Sequence, residues 1–255
     1  GVFFNDGALV LTATDGSYSE TTAPTSTDTA ASGEWSMTAV IYDATADVLT
    51  LSNDVDVYNL ADASYSSVSY SVLAQETRPN AISWNTDGTK FFTAGDTGNV
   101  IEEYTCSVGF DLSSTVAYSG NYFAISSQES SVQGLAFNTD GTKFFIVGMS
   151  NDTVYEYTCS TGFDLGSTVA YSGNSFSVNS QETNPKGLAF NTDGTKFFVI
   201  GDTGTPVDSI FEYSCSVGFD LSSTVAYSGV SFSVNSQDTE PTGLAFSADC
   251  LMSFM

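Results

Sequence analysis

The side chains best placed to do chemistry recur at regular intervals. A Gln followed by an acidic residue stands at Gln75-Glu76, Gln128-Glu129, Gln181-Glu182 and Gln237-Asp238. Repeated in one register, such pairs predict a ring of carboxylates and amides on one face, able to hold a cation such as calcium, or a sugar. The alternative is that they bond the backbone of the loop that carries them. Tyr118, Tyr171 and Tyr227 recur in the same way. On an outer strand they would suit carbohydrate or protein contacts, and edge packing is the alternative.

What is missing narrows the chemistry further. The chain has no histidine, which removes a Ser-His-Asp triad, a Cys-His dyad and His-ligated zinc. The commonest general base near neutral pH goes with it. No catalytic residue is assigned and no metal ligand is fixed. The Asp-Gly turns at 86–89, 139–142 and 192–195 read as hairpin turns, because the alternating acidic ligands of an EF-hand are absent. Lys90, Lys143 and Lys196 read as solvated residues at strand starts. Cys106, Cys159 and Cys215 share one repeat position. Sheets stacked about 10 Å apart hold equivalent residues too far apart for a disulfide, so these read as small buried apolar residues.

The elements that must position these residues follow from the repeat. Asn85-Thr-Asp-Gly-Thr-Lys-Phe-Phe92 returns at Asn138 and at Asn191, 53 residues apart each time. Each unit reads as four strands: Gly187–Phe190, Lys196–Ile200, Ser209–Cys215, and a fourth near Val225–Tyr227 or Ser231–Val234. Both phases of the second strand are apolar, as expected of a sheet buried on both faces. The third strand alternates and is expected further out and partly wet. The predicted fold is all-β, a β-propeller of four-stranded antiparallel blades. Its repeats are 81–133, 134–186, 187–242 and a partial 243–255. Residues 1–75 read as diverged blades or as a small attachment domain, with 17–32 as a loop or linker. Counting blades gives about five and a half against the roughly four to eight of a closed ring, so ring completeness stays open. The pattern break at Asp249-Cys-Leu-Met-Ser-Phe254 and the Gly1 start suggest a processed or longer parent chain.

Charge bounds the partners. Thirty acidic residues stand against five basic ones, a net charge of −25, which repels nucleic acid and anionic membranes. No apolar run reaches 18 residues, so no membrane insertion is expected.

The Gly-Leu-Ala-Phe-Asn-Thr-Asp-Gly-Thr-Lys-Phe-Phe run, the Tyr-Glu-Tyr strand and the Gly-Phe-Asp-Leu loop resemble propeller-type repeats of environmental, often marine, bacteria and their phages. The resemblance spans about residues 65–250 and, more distantly, extends to lactonase-like and NHL-like propellers. It implies a non-enzymatic structural or binding protein on a cell surface or virion appendage, extracellular or virion-borne. Its partner would be a protein or a carbohydrate, and assembly into a homo-oligomer or larger particle is open. The rival expectation is a lactonase- or lyase-like enzyme with a central divalent cation held by carboxylates. Near-identical repeats favour the first, because an active site needs unlike residues converging.

Overall fold

The structure is a computed structural model that describes residues 64–202 and 208–246 with their side chains. It also describes the backbone of short strands within 2–51 and at 252–254. The expected linker at 17–32 and Cys250 lie outside the described residues. Two units are separable, Gly1–Ala63 and Ser64–Met255. In the first, β1 (Val2–Asn5) pairs antiparallel with β2 (Ala8–Leu11), and β3 (Val40–Asp43) with β4 (Val48–Leu51).

The second unit is a succession of antiparallel meanders. Sheet I holds β5 (Pro79–Trp84), β6 (Lys90–Gly95), β7 (Val100–Cys106) and β8 (Val116–Ala124) in sequence order. Sheet II holds β9 (Val132–Phe137), β10 (Lys143–Gly148), β11 (Thr153–Cys159) and β12 (Val169–Ser177). Sheet III holds β13 (Pro185–Phe190), β14 (Lys196–Gly201), β15 (Ser209–Cys215) and β16 (Val225–Ser233). A two-stranded piece follows, β17 (Leu244–Phe246) with β18 (Met252–Phe254). Among the described residues there is no helix and no closed sheet.

The turns are built by their own side chains. Asp140 Oδ1 accepts from the Thr142 amide at 2.9 Å, and Asn138 Oδ1 from the Lys143 amide at 2.9 Å. Gly141 sits at φ 72°, a conformation that L side chains avoid. The Phe163 ring lies 2.2 Å from where a Cβ would stand, so glycine is required twice over.

The paired phenylalanines place one ring on each side of a sheet, because adjacent strand residues face oppositely. Phe92 joins Phe144 and Ile146 in the core between sheets I and II. Phe145 joins Leu188, Phe197 and Phe211 between sheets II and III. Each core holds a parallel Phe–Tyr stack, Phe144–Tyr157 and Phe197–Tyr213, both at 4.7 Å. An aromatic ring from the end of the preceding fourth strand caps each stack edge-on. Phe123 lies 5.7 Å from Tyr157, and Phe176 lies 5.6 Å from Tyr213. Tyr70 does the same to Tyr104 at 5.9 Å. The first strands β5, β9 and β13 neighbour one another. At Gly134 an added Cβ would meet the Leu188 amide at 2.9 Å, so glycine permits that approach.

Two expectations need correcting. The third strand is wet only toward its end, at Thr158 and Ser214: Glu103, Tyr104, Glu156 and Tyr157 are all buried, because Tyr70 covers Tyr104, Phe123 of the preceding sheet covers Tyr157, and the next sheet binds the carboxylates. The fourth strand is one element spanning both candidate segments. A register shift opposite Tyr155/Tyr157, with Gly173 at φ 89°, bends it between them.

Candidate functional site

The Gln-Glu pairs lie in the turn leaving each fourth strand. The amides of Gln128 and Glu129 both donate to the Ile125 carbonyl at 3.0 Å. That turn drives the glutamate inward: Glu76, Glu129 and Glu182 are fully buried. Their Oε1 atoms accept from the amides two residues on, at Arg78, Ser131 and Asn184, over 2.7, 2.7 and 2.8 Å. Burial alone would raise the Glu76 carboxyl. Hydrogen bonds from the Thr97 side chain and the Arg78, Gly98 and Thr97 amides outweigh it and hold the group below the usual carboxylate range. Gly95, Gly148 and Gly201 leave room for these carboxylates, since a Cβ there would lie about 2.5 Å from the glutamate Cδ.

The glutamine partners sit higher. Gln75, Gln128 and Gln181 are half-buried, while Gln237 and Asp238 are exposed. Gln128 Oε1 accepts from the Tyr157 hydroxyl at 3.3 Å. Asp238 Oδ1 accepts from the Glu240 amide at 2.9 Å. The structure does not gather the acidic members into one site. Among the described residues no three His, Cys, Asp or Glu side chains converge on a point that could hold a metal ion.

Tyr118, Tyr171 and Tyr227 are half-buried on the fourth strands. Each ring leans on a fully buried tyrosine of the third strand, Tyr104, Tyr157 and Tyr213, at 5.6, 5.6 and 5.7 Å. The more exposed apolar side chains lie nearby at Tyr122, Val230 and Phe232.

Sequence reading missed a more consequential constellation, because it took the turn lysines as solvated. Lys90 Nζ lies 3.1 Å from Glu103 Oε1 and donates to the Phe163 carbonyl at 2.8 Å. Glu103 Oε2 accepts from the Leu165 amide at 2.8 Å. Sheet I thus grips the Gly162–Leu165 turn of sheet II from both ends. Sheet II repeats the grip: Lys143 and Glu156, 3.1 Å apart, hold the Phe219 carbonyl and the Leu221 amide, each at 2.8 Å. The signal was present as a constant Lys-to-Glu separation in the first two repeats. It was hidden because a lysine after a turn has an ordinary explanation.

One pair breaks the repeat. Thr93 donates to Glu102 Oε2 at 2.9 Å, and both are buried. Ile146 and Tyr155 replace them in sheet II, and Val199 and Phe211 in sheet III. Burial, the largest effect, raises the Glu102 carboxyl above its ordinary value. Thr93 also lines a cavity of about 310 Å³ with Tyr70, Ile82 and Phe91.

Residues 64–246 thus define an all-β protein of consecutive four-stranded antiparallel meanders stitched together by Lys–Glu grips. No protein-family model matches the chain, and no curated protein matches it. Solved structures are similar at low identity. A protein of unknown function from Desulfotomaculum acetoxidans has 13% identity and a TM-score of 0.44, over 62% of this chain and 43% of that one. A proposed 6-phosphogluconolactonase from Bacteroides uniformis has 12% identity and a TM-score of 0.46, over 72% and 49%. The Kuenenia stuttgartiensis hydrazine synthase has 15% identity and a TM-score of 0.44, over 68% and 40%. The matched part spans less than half the length of each of these structures.

Proposed function

We propose that the four-stranded sheets are blades of a β-propeller and that the chain is a non-enzymatic structural or binding repeat protein. In this reading it stands on a cell surface or virion appendage and binds a protein or carbohydrate partner through its loops. One observation carries the reading: the repeated ionisable side chains are engaged in the architecture. Glu103 and Glu156 grip the next repeat, and Glu76 and Glu129 hold their own loops. Residues used identically in successive repeats make a scaffold, whereas catalysis needs unlike groups at one point. The half-buried Tyr118, Tyr171 and Tyr227 and the exposed Tyr122 offer contact surface beside it.

The rival reading, a lactonase- or lyase-like enzyme with a central divalent cation, draws its support from the unlike pair Thr93 and Glu102. A carboxyl raised by burial favours its protonated form, which suits proton transfer better than cation binding. The test is a panel of lactones and uronate polymers with and without calcium, beside a glycan array. Glycan or protein binding without turnover supports the scaffold reading. Turnover abolished by Glu102→Gln would replace it with the enzyme.

A further inference from the structure

The first strands carry one position at which the repeats disagree. It holds Asn80 in β5, Gln133 in β9, Lys186 in β13 and Thr242 just before β17. The residues after it are nearly constant, Gly-Leu-Ala-Phe at 134–137, 187–190 and 243–246 and Ala-Ile-Ser-Trp at 81–84. All four unlike side chains line one cavity of about 200 Å³ between these strands, and Leu135 and Leu188 line it with them.

Lys186 is the cation with the weakest partners. Arg78 lies 2.6 Å from Asp96, and the grip lysines lie 3.0 to 3.1 Å from their glutamates. Lys186 Nζ stands 3.9 Å from Asp202 Oδ2, and its short contact is to Met149 Sδ at 3.0 Å. A thioether is a weak acceptor. Asp202 spends its other oxygen on the Asn184 carboxamide. The Lys186 side chain is only 18% exposed, so its ammonium is largely withdrawn from water without a strong acceptor in exchange. A break in the repeat leaves it so: Met149 stands where sheets I and III carry Asp96 and Asp202. The other three groups have capacity to spare. Gln133 makes one long bond, to Ser131 Oγ at 3.5 Å. Asn80 gives its Nδ2 to the Val132 carbonyl at 3.0 Å, which leaves its side-chain oxygen. Thr242 is exposed.

We infer that this cavity binds one acidic sugar residue, a hexuronate. Its carboxylate accepts from Lys186 Nζ and Gln133 Nε2. Its hydroxyls meet Asn80 Oδ1 and the Thr242 hydroxyl, and a C–H face of the ring lies on Leu135 and Leu188. Small-molecule sites have this make-up, an apolar lining with a few polar groups that set orientation. A volume of about 200 Å³ admits a single ring. One ammonium in a chain of net charge −25 favours a monoanion over the dianion of a phosphate. The inference rests on the carbohydrate-binding reading proposed above and names the sugar class and the residues that would select it.

The test titrates D-glucuronate and D-galacturonate against the full-length chain, read by ligand-observed nuclear magnetic resonance, with D-glucose and inorganic phosphate as controls. The expected result is saturable binding of a uronate at about millimolar affinity. Glucose should bind about tenfold or more weakly, and Lys186→Met should cost the uronate the same factor, that of a charge-assisted hydrogen bond. Gln133→Leu should weaken it as well. Near-ultraviolet circular dichroism of both variants checks that sheets II and III are intact. Absence of uronate binding would overturn the proposal, and so would equal affinity for glucose, for phosphate or in the Lys186→Met chain. Glycan-array binding indifferent to Lys186→Met would overturn this site and leave the scaffold reading standing. Uronate binding that needs Lys186 and is followed by turnover would keep the site and replace the scaffold reading.

Discussion

Lys143 and Glu156 show how much one ion pair depends on its surroundings. Glu156 is 2% exposed and its second oxygen holds the Leu221 amide. Removing it leaves the Leu221 amide without its acceptor and Lys143 without its counter-charge, so Glu156→Ala should cost about 3 kcal/mol. Glu212→Ala should cost below about 1 kcal/mol, because Glu212 pairs with the half-exposed Lys196 at 3.0 Å and is itself 17% exposed. Chemical denaturation of the two variants checks the contrast, and equal losses would mean the grips are energetically alike. The cysteines make a second prediction at this scale. Cys106, Cys159 and Cys215 are buried free thiols, and burial pushes Cys159 and Cys215 up to about 11. Thiolate is the reactive form, so iodoacetamide at pH 8 should leave all three unmodified until denaturant is added. Peptide mass mapping would show otherwise if native labelling occurs.

The turn is the element on which the repeat rests. The carboxyls of Asp87, Asp140 and Asp193 lie below the ordinary aspartate value, chiefly because the following threonine hydroxyl and amide donate to them. A depressed carboxylate contributes stability that is fully present above its unfolded value of 3.8 and is lost as pH falls through the lower folded value. Acid titration followed by circular dichroism should therefore show the β signal persisting at pH 5 and failing below the ordinary aspartate range. Asp140→Asn should blunt that dependence. At this scale the sequence was most informative. The Asp-Gly turn and the double-phase second strand follow from local chemistry, and both stand in the structure. The glutamates that bond their own loops were legible as one of two readings, whereas the Lys–Glu grips were masked, because they depend on which loop of the next repeat arrives beside them. Thr93 and Glu102 could have been noticed as departures from the repeat, since their equivalents are apolar or aromatic.

Charge governs the molecule as a whole. All five basic residues are already in ion pairs: Arg78 with Asp96, Lys186 with Asp202, and the three grip lysines with their glutamates. The remaining carboxylates, the bulk of a net charge of −25, repel one another without local compensation. Screening shortens that repulsion to about 8 Å at physiological salt, so the thermal midpoint should rise as sodium chloride is added to dilute buffer. A midpoint that falls with salt would mean the grips contribute more than the repulsion opposes. The scarcity of cations also bears on resistance to proteolysis. An enzyme of trypsin type needs an accessible Lys or Arg. Arg78 is followed by Pro79, a bond such enzymes cleave poorly, and Lys90 and Lys143 are held inside their grips. Lys196 is the most open lysine of the three grips. Among the described residues Lys196 is thus where digestion should begin.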